Sequence, residues 1–249
     1  MSYFAIIPAR FASTRFPGKP LCKLGNMTMI ERVYHQVSKV KSFSSIYVAT
    51  DDNRIFEKVQ RFGGNVLMTS NANRSGTDRC ADAINRIPNV KNEDIVVNIQ
   101  GDEPFINPQQ IEELLAIIDK ENVQIATLIK QIKEESILNN PNVVKVVKNQ
   151  DNKALYFSRF PIPYMRNIHF AEHTFFQHIG IYAYRVGILK ILTKLSCSSL
   201  EIAESLEQLR WLSAGYDIHV GETQCNSTIG IDTEDDLKYA LKYIKDNNL

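Results

Sequence analysis

The chain has 249 residues, 44% of them hydrophobic, and 29 Lys and Arg against 28 Asp and Glu give a formal net charge of +1. That length suits one large α/β domain with a modest insertion, and the near-neutral balance excludes the basic excess of a nucleic-acid coat or a membrane-surface protein. Cys22, Cys80, Cys197 and Cys225 stand far apart with no Cys-x-x-Cys pair, which argues against a structural zinc site or a disulfide scaffold and for reduced, mostly buried thiols.

The chain enters a buried-type strand at Tyr3–Ile7 without a charged leader or a run long enough to span a bilayer, so a cytoplasmic protein with no membrane or nucleic-acid partner is expected. The loop that follows, Pro8 to Pro20, carries Arg10, Arg15 and Lys19 and is stiffened by Pro8, Pro17 and Pro20. Three fixed cations, with amides freed by Gly18 and the small residues Ala9, Ala12 and Ser13, can neutralise a triphosphate without a P-loop. Thr28 and Glu31 form a capping box ahead of Ile30, Val33, Val37 and Val40 on one helical face. Ile46–Thr50 reads as a strand, 53–62 as a helix and 94–99 as another strand. The alternation implies a doubly wound, mostly parallel sheet.

Between these strands, Asn73 to Arg79 is a polar, Gly-containing loop before a helix expected over Cys80–Ile87. Its amides, around Arg74, Ser75 and Gly76, can read a base or a phosphate, or the segment is a plain capping loop. The strand ending at Asn98-Ile-Gln-Gly-Asp-Glu-Pro104 puts Gln100, Asp102 and Glu103 at the sheet edge where ligands bind in open α/β folds. Asp102 is a natural metal ligand there, or simply a turn residue before the helix that Asn107 and Pro108 start.

After Pro141 the pattern changes to a hairpin of Val143–Val147 and Ala154–Phe157 about the turn 149–152. Ser158 to Phe176, rich in aromatics and prolines, reads as an irregular insertion suited to a substrate lid or a dimer contact. His169 and His173 have zinc-like spacing but no third ligand, and His178 opens an apolar strand, 178–184, as a core residue or a ligand contact. Helices are expected over about 200–211 and 233–245. In the first, Glu207 and Gln208 lie off the leucine stripe, either solvated or hydrogen-bonding a sugar. Asp232, just ahead of the second, is either part of a helix start or a partner for Asp102 in the hard-oxygen site that Mg²⁺ prefers.

These motifs together resemble the 3-deoxy-manno-octulosonate cytidylyltransferase (CMP-Kdo synthetase) family. The resemblance is carried nearly end to end by Pro8–Pro20, Ser75–Thr77, Asn98–Pro104, Ala154–Arg159, Ile162-Pro163, His178–Tyr182, Leu206–Arg210 and Asp232–Leu237. It implies a nucleotide-diphospho-sugar transferase-like fold, one domain over 1–249 with 150–180 as a substrate or dimer insertion. It also implies a cytoplasmic, Mg²⁺-dependent homodimer that makes CMP-Kdo from CTP and Kdo for lipopolysaccharide synthesis. Another acidic sugar, 8-amino-Kdo or an acylneuraminate, is the alternative substrate. Family roles fall on Arg10, Arg15 and Lys19 for the triphosphate, Ala9 and Ser75 for cytidine, and Asp102 and Asp232 for Mg²⁺. The sugar positions fall on Gln100, Arg159, Arg166, His178, Tyr182, Glu207 and Gln208. Asp78, where Glu is commoner, and Ile231, where Val is usual, remove none of these groups.

Overall fold

The computed structural model describes residues 1–12, 16–225, 230–231 and 233–247. The chain divides into two compact units, Met1–Glu112 with Cys225–Leu249, and Glu113–Gln224.

In the first unit, β1 (Tyr3–Ala9) is a central strand, with Ala5, Ile6 and Ile7 fully buried as its apolar run requires. A ribbon of β2 (Lys23–Leu24) and β3 (Met27–Thr28) leads into α1 (Met29–Val37). The expected capping box forms there, the Thr28 N–H donating to Glu31 Oε2 at 3.2 Å. β4 (Ser45–Thr50) lies parallel to β1, from Phe4 opposite Ser45 to Ala9 opposite Thr50. α2 (Asn53–Arg61) is capped by Asp52, which accepts from the Arg54 N–H at 2.9 Å, and returns to β5 (Val66–Met68), parallel to β4. α3 (Gly76–Ile84) begins at Gly76 rather than at Cys80. Of the run 73–79, only Asn73–Ser75 is a loop and Gly76–Arg79 is already helical, because Ser75 and Asp78 form a capping box of their own, with the Asp78 N–H donating to Ser75 Oγ at 3.1 Å.

β6 (Ile95–Asn98) returns parallel to β1 on the side away from β4, giving the order β6-β1-β4-β5. Winding proceeds outward from β1 in one direction and then jumps to its other flank, so the carboxyl ends of β1 and β6 form a topological switch point. α4 (Pro108–Ile118) starts where Asn107 Oδ1 accepts from the Gln109 N–H at 3.0 Å, and Ile111, Leu114 and Ile118 are fully buried.

The second unit is mixed. β7 (Ile125–Ile132) and the short α5 (Glu135–Leu138) precede the hairpin of β8 (Lys145–Lys148) and β9 (Ala154–Ser158), whose turn carries Asn152 at φ 57°. Residues 159–174 are irregular apart from one 3-10 turn, Phe170–Glu172, and they are anchored by Met165 and Phe170 against a buried cluster of Ile132, Leu138 and Phe175. β10 (Phe175–Arg185) runs antiparallel to β7, with a register shift between Ile179 and Tyr182. After α6 (Val186–Leu192), the helix expected over 200–211 is two short ones, α7 (Ser199–Glu204) and α8 (Gln208–Ser213). The break is at Ser205, which takes left-handed angles of φ 52° and ψ 48°. Glu204 turns away there to Ser158 Oγ at 2.7 Å and to the Arg159 N–H at 2.8 Å. β11 (His219–Glu222) adds parallel to β7.

The chain then returns to the first unit with α9 (Glu234–Asn247), which packs Ala240 and Ile244 on Leu24, Met29 and Ile231. The doubly wound, parallel α/β character that the alternation predicts is that of the main strands of the first unit, whose one antiparallel pairing among the described strands is the short β2–β3 ribbon, while the second unit adds β11 parallel to β7 and pairs β7, β8, β9 and β10 antiparallel. All four cysteines are free; Cys80 and Cys225 are buried, but Cys197 is exposed, against the expectation of mostly buried thiols. No helix among the described residues is long and apolar enough to cross a membrane.

Candidate active site

A cleft of about 260 Å³ opens at the switch point of the first unit, lined by Pro8 and Ala9 at the end of β1, by Arg10 and Lys19 from the loop after it, by Asn73–Gly76 and Arg79 leading into and along α3, and by Gln100–Asp102 just after β6. Three sequence motifs far apart in the chain thus meet on one surface. Gly101 makes the close approach possible: a Cβ there would stand 2.7 Å from the Pro8 carbonyl oxygen, so only glycine lets the β6 end pass under the loop. The loop is closed at its described ends by the Gly18 N–H donating to the Phe11 carbonyl at 2.9 Å, and the Arg54 guanidinium stacks 3.3 Å from the Phe11 ring centre. Gly18 holds φ 73°, with the Phe11 ring 3.0 Å from where a Cβ would be.

Lys19 and Asp102 form an ion pair at 2.7 Å in this cleft, with side chains 11% and 31% exposed. The expected facing of the cationic loop and the β6 carboxylate is therefore present. Arg10 and Arg74 are exposed. Ser75 caps α3, and the start of a helix aims N–H groups and positive dipole at whatever occupies the cleft, so the capping and the ligand-facing readings of this segment coexist. Asp102 is fixed from a second side, its carbonyl accepting from the Ile231 N–H at 3.0 Å. The next residue, Asp232, and Arg15 of the loop both lie outside the described residues. The α9 start does not need Asp232, since Thr233 and Asp236 complete it, with the Thr233 N–H donating to Asp236 Oδ2 at 2.8 Å and the Asp236 N–H to Thr233 Oγ1 at 3.2 Å.

In sequence Arg79 is only the last residue of a polar run. It is 3% exposed, in the first turns of α3, and donates to Thr69 Oγ1 at 2.7 Å and to Asp51 Oδ2 at 2.9 Å. It thereby ties the helix that carries Ser75 and Gly76 to the loops after β4 and β5. The available signal was its sign: a cation in the first turns of a helix opposes the dipole and needs a specific partner.

The remaining candidates lie in the second unit. His178 and Tyr182 pack ring to ring, 5.2 Å between centres, and Tyr182 meets Trp211 edge-on at 5.2 Å. Burial pushes the His178 imidazole down to about 3, so it is uncharged at neutral pH. Burial and the Glu207 carboxylate push the Tyr182 phenol well above its ordinary value. Tyr182 Oη makes no hydrogen bond of good geometry among the described residues, although the Thr127 hydroxyl is near enough to act on its ionisation. Gln208 is 6% exposed, which removes the solvated-face reading for it, while Glu207 is half-buried.

Arg159 is heavily engaged: Nε donates to the Glu204 carbonyl at 2.7 Å, Nη1 to Pro141 at 3.1 Å and Nη2 to Ser205 at 3.4 Å. A guanidinium has five N–H donors, so one remains on each terminal nitrogen. The fully buried Lys145 supports this arrangement from below by donating to the carbonyls of Asn140, Val143 and Arg159. Arg166 is exposed, and nothing described brings it to the others. His169 and His173 are exposed, and no group of three potential ligands for a metal occurs among the described residues.

Comparison with known proteins bears on the family rather than on single residues. The cytidylyltransferase family model matches residues 4–218. The 3-deoxy-manno-octulosonate cytidylyltransferase of Parabacteroides distasonis is 53% identical over 98% of both chains, and that of Bacteroides thetaiotaomicron 51% over the whole of both. A solved CMP:2-keto-3-deoxy-manno-octonic acid synthetase complexed with CTP superimposes with a TM-score of 0.92 at 40% identity, covering 99% of this chain and 100% of its own. The 2-C-methyl-D-erythritol 4-phosphate cytidylyltransferase of Francisella tularensis, at 20% identity and a TM-score of 0.64 over 96% and 98% of the chains, shares the fold alone. Matched along almost its full length by such relatives, the chain belongs to the 3-deoxy-manno-octulosonate cytidylyltransferase family.

Proposed function

We infer that the protein joins CTP and Kdo to give CMP-Kdo and pyrophosphate, the activated sugar of lipopolysaccharide synthesis. The observation that carries this is the cleft at the switch point, where a cationic loop, a helix start and Asp102 meet, in a chain 40% identical to a synthetase of this kind complexed with CTP.

The reaction is a displacement at the α-phosphorus of CTP by the anomeric hydroxyl of Kdo. Such a reaction is catalysed by positioning and charge neutralisation rather than by a covalent nucleophile. In this reading Arg10, Arg15 and Lys19 hold the triphosphate and stabilise the departing pyrophosphate. Ala9, Arg74, Ser75 and Gly76 contact the nucleotide. Arg159 offers its remaining N–H groups to the sugar carboxylate, while Gln100, Arg166, His178, Tyr182, Glu207 and Gln208 contact its hydroxyls and ring.

The donor set fits Mg²⁺: Asp102 presents a hard carboxylate with 31% of its side chain exposed, and its backbone is held beside Ile231, the chain neighbour of Asp232. Asp102 and Asp232 would hold the ion, which when bound neutralises phosphate charge and acidifies a coordinated hydroxyl. The Lys19 ammonium beside Asp102 is then placed for a phosphate oxygen. The reading extends to a cytoplasmic homodimer, because Leu155, Phe160, Tyr164 and Ile202 leave 60%, 72%, 83% and 70% of their surface exposed in the second unit, more apolar side chain than a solvated face needs.

A pyrophosphate-release assay across CTP and UTP, with Kdo, 8-amino-Kdo and an acylneuraminate, with and without Mg²⁺, tests the whole reading. Turnover is expected with CTP, Kdo and Mg²⁺ together. Turnover of 8-amino-Kdo but not Kdo overturns the substrate, and full activity in excess chelator overturns the metal.

A further inference from the structure

Thr127, in the middle of β7, was singled out by no motif, yet it is fully buried against the register shift of β10. Its Oγ1 lies 2.7 Å from the Ile181 carbonyl oxygen, 3.1 Å from the Ile179 carbonyl oxygen and 3.0 Å from His178 Nε2. A hydroxyl has one proton to give and two lone pairs to offer. Carbonyl oxygens can only accept, so the proton belongs to the nearer carbonyl, that of Ile181. Giving it to His178 instead would leave a hydroxyl oxygen facing a carbonyl oxygen at 2.7 Å with no proton between them. The third neighbour must therefore bring its own hydrogen, and His178 Nε2 is the donor.

We infer that Thr127 is a positioning residue that fixes His178 as its Nε2–H tautomer, so that the Nδ1 lone pair is left to accept a hydrogen bond from a hydroxyl of the sugar acid. The second half of this rests on the placement of the sugar at His178 proposed above. The ring is kept from turning by Phe157, edge-on at 5.2 Å, and by Tyr182, and its backbone is fixed by the His178 N–H donating to the Val144 carbonyl at 2.8 Å. No hydrogen bond to Nδ1 is present among the described residues, and the uncharged state of the half-buried ring leaves that nitrogen as an acceptor. The register shift serves this arrangement: the two carbonyls flanking Gly180 both turn toward one threonine, which re-aims the histidine.

The test is long-range proton–nitrogen NMR on histidine-labelled protein at neutral pH, with His178→Gln to assign the ring, together with the steady-state KM values for Kdo and CTP. Wild type and Thr127→Ser are expected to show a protonated Nε2 and a bare Nδ1 at His178. Thr127→Val, of nearly equal shape, is expected to give a mixed or reversed tautomer. Its KM for Kdo should rise about tenfold with the KM for CTP unchanged, the effect of one misaligned hydrogen bond. A proton on Nδ1 in wild type, or an unchanged tautomer in Thr127→Val, overturns the role of Thr127. A shifted tautomer with an unchanged KM for Kdo overturns the contact between His178 and the sugar. A wild-type enzyme inert toward Kdo is a failure of the proposed function instead, and the spectrum still decides the tautomer.

Discussion

The polar groups of the two units are held by opposite means. In the first, the cleft is charged and partly open: Arg10 and Arg74 are exposed, and Lys19 meets Asp102 at 2.7 Å with the carboxylate side chain 31% exposed. In the second, Tyr182 is buried and His178 half-buried, and both ring groups are uncharged, with His178 pushed down to about 3 and Tyr182 raised well above its ordinary value. The difference follows the ligands each suits. A triphosphate carries several charges that only cations and helix dipoles offset, whereas hydroxyls are discriminated by donors and acceptors of fixed direction in a dry site. The charged cleft tolerates motion of its side chains; the neutral cluster depends on tautomer and rotamer.

The sharpest break of this comparison is at Asp102. Asp102→Asn keeps the shape but removes the charge that pairs Lys19, and we expect kcat to fall about 10³-fold, roughly 4 kcal/mol, with thermal stability nearly unchanged because the pair is partly exposed. Steady-state pyrophosphate release and a melting curve check it. A variant that keeps a tenth or more of wild-type turnover would show that the charge is not needed.

The second test works on the neutral cluster through pH. An unfolded histidine titrates near pH 6.5 but the half-buried His178 only at about 3, so in that window the unfolded chain binds a proton that the native one refuses. Stability contributed at this site is therefore full above pH 6.5 and declines as pH falls toward 3, with a slope approaching about 1.4 kcal/mol per pH unit. Denaturant unfolding of wild type and His178→Gln at pH 7.5, 6 and 5 isolates the effect. The wild type should lose stability relative to the variant on acidification, and a constant difference would mean that the imidazole is hydrated.

The charged cleft was far more legible in sequence than the neutral cluster, and the reason is range. Arg10, Lys19, Ser75 and Asp102 sit in motifs whose local chemistry, cations on a stiff loop and a carboxylate ending a strand, is informative by itself. Thr127 has no such context: its partner His178 is 51 residues away, and only the β10 register shift makes the contact. Lys145 is similar, an ammonium amid valines that gains sense once three backbone carbonyls surround it. Of the fold, β1, β4, β6, β8, β9 and β10 and the helix starts at Thr28 and Thr233 follow from pattern, whereas β5, β7 and β11 do not stand out in it. The start of α3 does not, because Ser75 and Asp78 sit inside the polar, Gly-containing run 73–79, which reads as a loop until their capping box is seen.

The break between α7 and α8 gives the smallest effect and isolates what local sequence cannot encode. The run 200–211 has helical spacing throughout, yet Ser205 is left-handed, a conformation that costs an L-residue about 1–2 kcal/mol and glycine almost nothing. The cost is offset by Glu204, whose carboxylate reaches Ser158 and the Arg159 N–H, 46 and 45 residues back, and whose carbonyl accepts from Arg159 Nε. If those contacts impose the kink, Ser205→Gly keeps it and relieves the strain, and the protein gains about 1 kcal/mol, or roughly 2–4 °C in Tm, after allowance for the extra freedom of glycine in the unfolded chain. Glu204→Gln should remove more than that gain, and the two changes should not add, because both act on one bend. A destabilised Ser205→Gly, measured by calorimetry, would mean that the serine side chain rather than the Glu204 contacts sets the turn, and that the support under Arg159 is local after all.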